Sequence, residues 1–153
     1  MFRRITRCRG KREGGQSLVE FTLVLPIFLL VLFAIIDFGM AFHAWIAVTN
    51  SAREGARLGA VHPSLVAPGS PCLGQGSLDQ CITQKVRDTA GPIGNDVTVN
   101  ITNSGGAVGT SVVVDVSYAY SLITPLANIL GMFTGGTIDD SFTLSSSADF
   151  RLE

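Results

Sequence analysis

Between Glu20 and Asp37 the chain carries no charged side chain, and only Thr22 and Pro26 interrupt the apolar ones. On a helix these two acids stand about 25 Å apart at about 1.5 Å per residue, close to the ~30 Å thickness of a bilayer's hydrocarbon core. The rest of the chain must organise around this segment. Its flanks are unequal: Arg3, Arg4, Arg7, Arg9, Lys11 and Arg12 precede it, while Glu54, Asp79, Asp88, Asp96, Asp115, Asp139, Asp140, Asp149 and Glu153 follow it. The net charge of -1 averages over that asymmetry. Arginines directly before an apolar run read as an orientation signal that leaves the N-terminus in the cytoplasm. A nucleic-acid arm is the rival reading of such a cluster, but no basic residues interleave with aromatic ones as a single-strand platform needs, so no nucleic-acid partner is expected. Charged residues make up 15% of the chain, against about a quarter in an ordinary soluble domain.

The helical pattern does not stop at Asp37. Phe38, Phe42, Trp45, Ile46 and Val48 prolong it, and Asn50 to Arg57 carry it on with small and polar residues. The reading is one long helix from about Ser17 to about Gly59, ending before Pro63, with its first half in lipid and Trp45 at the interface. Pro26 leaves the carbonyl of Thr22 without its helical donor and is expected to kink the helix, which membrane helices tolerate. A cleaved secretory signal is the competing interpretation, with Gly39-Met40-Ala41 as a loose cleavage pattern; the apolar core is too long for it, and Asp37 and Glu20 sit badly. An uncleaved signal anchor is the stronger rival.

The mouth of the helix reads Gly14-Gly15-Gln16-Ser17-Leu18-Val19-Glu20-Phe21. A carboxylate entering a membrane unpaired costs a few kcal/mol, so Glu20 needs a cation. The basic leader offers one. A free α-amine made by cutting after Gly15 is a better one, because Gln16 becomes the first residue and Glu20 the fifth, one turn away. Gly15, Glu20 and Phe21 resemble the processing site of type IV prepilins of the Flp/Tad kind. The wider string from Gly15 to Phe21, with Leu25-Pro26, Ile36-Asp37-Phe38-Gly39 and Ala52-Arg53-Glu54-Gly55-Ala56-Arg57, is similar to the TadE-like pseudopilins. The resemblance covers about the first sixty residues. It implies cleavage between Gly15 and Gln16 by a prepilin peptidase, retention in the bacterial cytoplasmic membrane, and a part in building a Tad pilus beside other pseudopilins and assembly proteins. Adhesion would be a property of the pilus as a whole. Phe21 in place of the family's usual tyrosine, and a long distal region, favour a minor pseudopilin over the main filament subunit. The longer TadG-type proteins share such a start but have a further domain for which this chain is too short.

The expected organisation is a leader over 1–15, a transmembrane helix over 16–43 and an extracytoplasmic α+β domain over 44–153. A loop rich in proline and glycine follows the long helix. Cys72 and Cys81 lie close together in the distal region and are expected to pair as a disulfide in an oxidising compartment; Cys8, in the leader, has no assigned role. Leu78 to Ala90 has helical spacing through Leu78, Cys81, Ile82, Lys85 and Val86. Val97, Val99 and Ile101 alternate with polar residues, Asn103 to Gly106 form a turn, and Val112, Val114, Val116, Tyr118 and Tyr120 mark the clearest strand, expected to bury that face. A third strand runs from Phe142 and Leu144 towards Phe150. Small residues at Ala52, Ala56 and Gly59 give the sheet a surface to pack on. A helix followed by a meander is an antiparallel α+β arrangement, and the resemblance implies that it is pilin-like. The apolar stretch Leu122–Phe133 is too short to span a bilayer and reads either as a segment packed on the sheet or as a patch on the membrane or a partner.

No catalytic group, cofactor or metal is expected. The two histidines, His43 and His62, have no catalytic setting, no C-x-x-C occurs, and Asp139-Asp140 beside Gly135-Gly136 reads as a turn. Arg53 and Arg57, one turn apart, read as a solvated helix face. The leading expectation is therefore a pseudopilin; the alternative is a membrane-tethered binding or adhesion module on an uncleaved anchor.

Overall fold

The structure, a computed structural model, describes residues 15–61, 68–135 and 139–152. The arginines and Lys11 of the leader, Gly14, Cys8, His62, Pro63 and Glu153 lie outside the described residues. Helix α1 runs unbroken from Gln16 to Ala60, 45 residues and roughly 67 Å, past Pro26 and past Asp37. After it come α2 (Leu78–Ala90), a 3-10 turn (Gly91–Ile93), strands β1 (Val97–Thr102) and β2 (Ser111–Ser121), helix α3 (Leu126–Thr134) and strand β3 (Ser141–Arg151). The strands form one antiparallel sheet in the order β1-β2-β3, with Val114 facing Ile101 on one side and Ala148 on the other. The architecture is the α+β arrangement expected: a long apolar helix, then short helices and a small antiparallel sheet.

The two halves of α1 meet different surroundings. From Leu18 to Ile36 its large apolar side chains are exposed or half-exposed, with Phe21, Leu23, Ile27 and Ile35 all more than 60% open. From Ala44 onward one face is buried, through Val48, Ser51, Ala52, Gly55, Ala56, Gly59 and Ala60. Small residues dominate that face because the sheet and α2 lie against the helix backbone. A Cβ at Gly55 would stand 2.5 Å from a methyl of Val86, and one at Gly59 3.0 Å from Ile82. The Ser51 hydroxyl, fully enclosed, donates to the Val48 carbonyl at 2.9 Å, so its burial leaves no polar atom unsatisfied.

Helix α2 starts where its sequence provides a cap. The Ser77 side chain accepts from the Gln80 amide at 3.2 Å, and the Gln80 side chain accepts from the Gly76 amide at 3.0 Å, a reciprocal arrangement that satisfies donors at the helix start. It ends at Gly91, whose φ of +63 suits a residue without Cβ. Of its buried residues, Ile82, Val86 and Ala90 meet Val48, Ala52 and Ala56 of α1 and Val97, Val114 and Val116 of the sheet in one core. Each fully buried valine or isoleucine there contributes about 1.5–3 kcal/mol relative to exposure. In β2, Val112, Val114 and Val116 are enclosed and alternate with half-buried Val113, Asp115 and Ser117, as period-two patterning requires. A second cluster of Ala60, Val112 and Leu152 closes the far end. Leu152 is held there by backbone bonds to Thr110 (2.8 Å) and from Gly109 (3.0 Å).

Candidate functional site at the N-terminal helix and its junction with the sheet

The sequence-predicted processing residues all sit at the start of α1. Gly15 occupies the N-cap position with no side-chain cap, and Gln16 opens the helix. Four residues on, the carboxylate of Glu20 accepts a hydrogen bond from the Gln16 side-chain amide at 3.3 Å. Helical spacing alone brings residues i and i+4 to one face, so this contact follows directly from the sequence. Phe21 is 64% exposed beside it. In the next turn the Thr22 hydroxyl donates to the Leu18 carbonyl at 2.8 Å, which satisfies a polar group inside an apolar segment. Helix α1 contains a candidate membrane span: its most apolar 18-residue window has a mean hydropathy of 2.8 and is 0% buried by the rest of the protein.

The second polar centre was not foreseen as a site. Asp37 is only 2% exposed. Its Oδ1 accepts from the backbone amides of Ile123 (3.1 Å) and Thr124 (3.2 Å), and its Oδ2 accepts from the Thr124 hydroxyl. The Asp37 backbone carbonyl accepts from the Tyr120 phenol at 3.3 Å. These donors are uncharged, and together they fasten the segment that leaves β2 to the side of α1. The carboxylate satisfies two amides of the loop before α3, across 86 residues of sequence. Tyr120 lies on β2, outside the candidate span; burial first, then the charge of Asp37 and then neighbouring Tyr118, push its phenol above the ordinary value of 10.0. It therefore stays protonated and remains a donor. The sequence signal for this junction is an acid inside an apolar stretch, together with the Thr124-Pro125 pair that precedes α3. Neither identifies the other without the fold.

Beside the junction lies a cavity of about 250 Å³, lined among others by Met40, His43, Pro92, Tyr118, Ser121 and Ile123. Farther out, Phe38 stacks on Phe42 with ring centres 6.4 Å apart, and Trp45 meets Phe42 at 5.9 Å, forming an exposed aromatic stripe on α1. Cys72 and Cys81 are joined by a disulfide with Cα atoms 5.3 Å apart, tying the loop before α2 to that helix. Arg57 pairs with Glu54 at 3.0 Å on the exposed side of α1. Asp139 accepts from the Ser141 amide (3.1 Å) and hydroxyl (3.0 Å), the hydrogen bonding of a turn. Among the described residues, no group of three or more His, Cys, Asp and Glu side chains is placed to hold a metal ion.

A long apolar helix exposed over its first half and packed on a small sheet over its second defines an α+β protein with a candidate membrane span. Residues 15–57 match the family model described as TadE-like protein, so this N-terminal segment is TadE-like. The match starts at Gly15 and ends within α1, taking in Glu20, Asp37 and Gly55. No curated protein and no solved structure matches the chain. The likeness is confined to Gly15 and helix α1.

Proposed function

We propose that this chain is a minor pseudopilin that takes part in assembling a Tad/Flp-type pilus after cleavage by a prepilin peptidase. In this reading α1 crosses the bacterial cytoplasmic membrane once, with the N-terminus in the cytoplasm and the α+β domain outside. The observation that carries the proposal is the coincidence of three features at one point. The TadE-like match begins at Gly15, the helix begins at Gln16, and Glu20 turns its carboxylate back to Gln16. The six cations of the leader, placed before the apolar run, support the orientation.

The chemistry is hydrolysis of the Gly15–Gln16 peptide bond. Water adds across the bond, Gly15 leaves as a carboxylate, and Gln16 keeps a new ammonium group. In the uncut chain a neutral amide meets Glu20. In the cut chain the ammonium of the same or a neighbouring subunit replaces it with a charge-assisted contact, which is about twice as strong as a neutral hydrogen bond. A carboxylate at the entrance to lipid then has the cation it needs, and neighbouring subunits gain a register mark. Mature subunits would associate through the exposed first half of α1.

Co-expression with a Tad-type prepilin peptidase followed by intact-mass measurement tests the reading. The expected product lacks the residues through Gly15. A native protein still carrying Met1 or Phe2 beside active peptidase would favour a tethered binding module on an uncleaved anchor. Glu20→Ala is expected to leave membrane insertion intact and to abolish assembly; normal piliation by this variant would remove the registration role.

A further inference from the structure

The loop before helix α3 is tied to the side of α1 at Asp37. From Leu122 to Ile138 the sequence has no charged residue. Within that stretch Ile123 is 63% and Met132 84% exposed, although both are large apolar side chains. The depth of the loop before α3 is fixed by the hydrogen bonds from Ile123 and Thr124 to Asp37. If the hydrocarbon begins at Glu20, a ~30 Å core needs about 20 residues of helix and ends near Met40. Asp37 then lies about 5 Å below the outer boundary, and the loop tied to it lies at the same level. Irregular backbone and a carboxylate at such a depth are tolerated only when buried in protein and fully hydrogen-bonded. Asp37 meets both conditions: it is 2% exposed, and no buried side-chain polar atom among the described residues lacks a partner.

We infer that Ile123–Thr134 is a second membrane contact, an interfacial element whose exposed apolar side chains, Ile123 and Met132, enter the outer surface of the bilayer beside α1. The inference rests on the proposed membrane span. Lipid is the occupant because Ile123 lines one cavity with Met40, which belongs to the exposed apolar surface of α1, and because the level of the loop along the helix is set by a bond network and not by a partner protein. Amphipathic segments of this kind lie about 5–10 Å into the boundary between headgroups and acyl chains. The consequence is mechanical. The domain is held at two points on the membrane, so its tilt relative to α1 is restrained, and extraction of the subunit must lift α3 out of lipid as well as slide α1.

The test uses the full chain carrying Cys8→Ser in vesicles of phosphatidylethanolamine and phosphatidylglycerol. Single nitroxide labels are placed at Met132→Cys, at Val31→Cys within the span, and at Ser104→Cys in the distal turn. Cys72 and Cys81 are occupied by their disulfide. The readout is accessibility to oxygen, which concentrates in lipid, against a water-soluble nickel chelate. The expected result is an oxygen-to-chelate ratio severalfold higher at Met132 than at Ser104, approaching that at Val31. A Met132 label as aqueous as Ser104, with Val31 in lipid, overturns the inference and leaves the span standing. A Met132 label shielded from both reagents and broadened by spins on other molecules also overturns it, in favour of a second copy. An aqueous Val31 label refutes the span and the inference together.

Discussion

Removing the carboxylate of Asp37 is the sharpest test of how α1 and the sheet are joined. In Asp37→Ala the amides of Ile123 and Thr124 lose their acceptor, and so does the Thr124 hydroxyl. A part-buried donor left without a partner costs about 1–3 kcal/mol. The two amides dominate; the hydroxyl can turn elsewhere, and loss of the desolvated charge offsets part of the cost. The expected net loss is about 2–4 kcal/mol for the junction. Asp37→Asn keeps one oxygen for both amides and should lose only about 1 kcal/mol. Hydrogen exchange of the full chain in detergent reads the effect locally. Protection of the amides at 123 and 124 should fall roughly thirty- to several-hundred-fold in Asp37→Ala, since about 1.4 kcal/mol corresponds to a factor of ten. Thr124→Val supplies the coupling test. It should cost about 1–2 kcal/mol in the native background and much less in Asp37→Ala, because its partner is already gone. Unchanged amide protection in Asp37→Ala, or full additivity of the two substitutions, would refute the view that this carboxylate fastens the β2–α3 segment to α1.

Gly55→Ala is expected to destabilise the domain by up to about 2 kcal/mol, because about 1 kcal/mol of helix propensity is outweighed by 1–3 of overpacking against Val86; Gly39→Ala, with nothing within 4 Å of its Cβ, should not, and thermal unfolding of both in detergent checks the contrast. Replacing Cys72 and Cys81 by serine should lower stability by about 2–3 kcal/mol, from the sequence separation of 9 that the bridge closes, measured by urea denaturation with and without reductant. Val114→Ala should cost about 1–3 kcal/mol, and Val113→Ala on the other face clearly less; equal losses in denaturation would contradict the strand's orientation.

Much of this protein was readable from local periodicity. The spacing of apolar residues determined α1, and the alternation in Val97–Ile101 and Val112–Tyr120 determined two strands and their buried faces. The span of α2 came out at the residues expected, because Ser77, Gln80 and Gly91 punctuate it chemically. The third strand begins one residue before Phe142, at Ser141. The neighbourhood of Gln16 and Glu20 was equally legible, since a helix brings i and i+4 together whatever else the chain does. The composition of Leu122–Phe133 allows either a packed segment or a surface patch. The structure makes it a loop bound to Asp37 followed by helix α3, and shows Met132 uncovered.

The sequence by itself determined those features whose cause is local: hydrophobic period, charge asymmetry, capping residues and the spacing of a short motif. Only the tertiary structure decided what Asp37 does, because its partners lie 86 and 87 residues away and none of them has a side-chain type that announces the pairing. It also decided why Gly55 and Gly59 must stay small, since the methyl groups that crowd them come from α2 and β2. Contacts of that range are chosen by the packing of whole elements, and no local pattern encodes them.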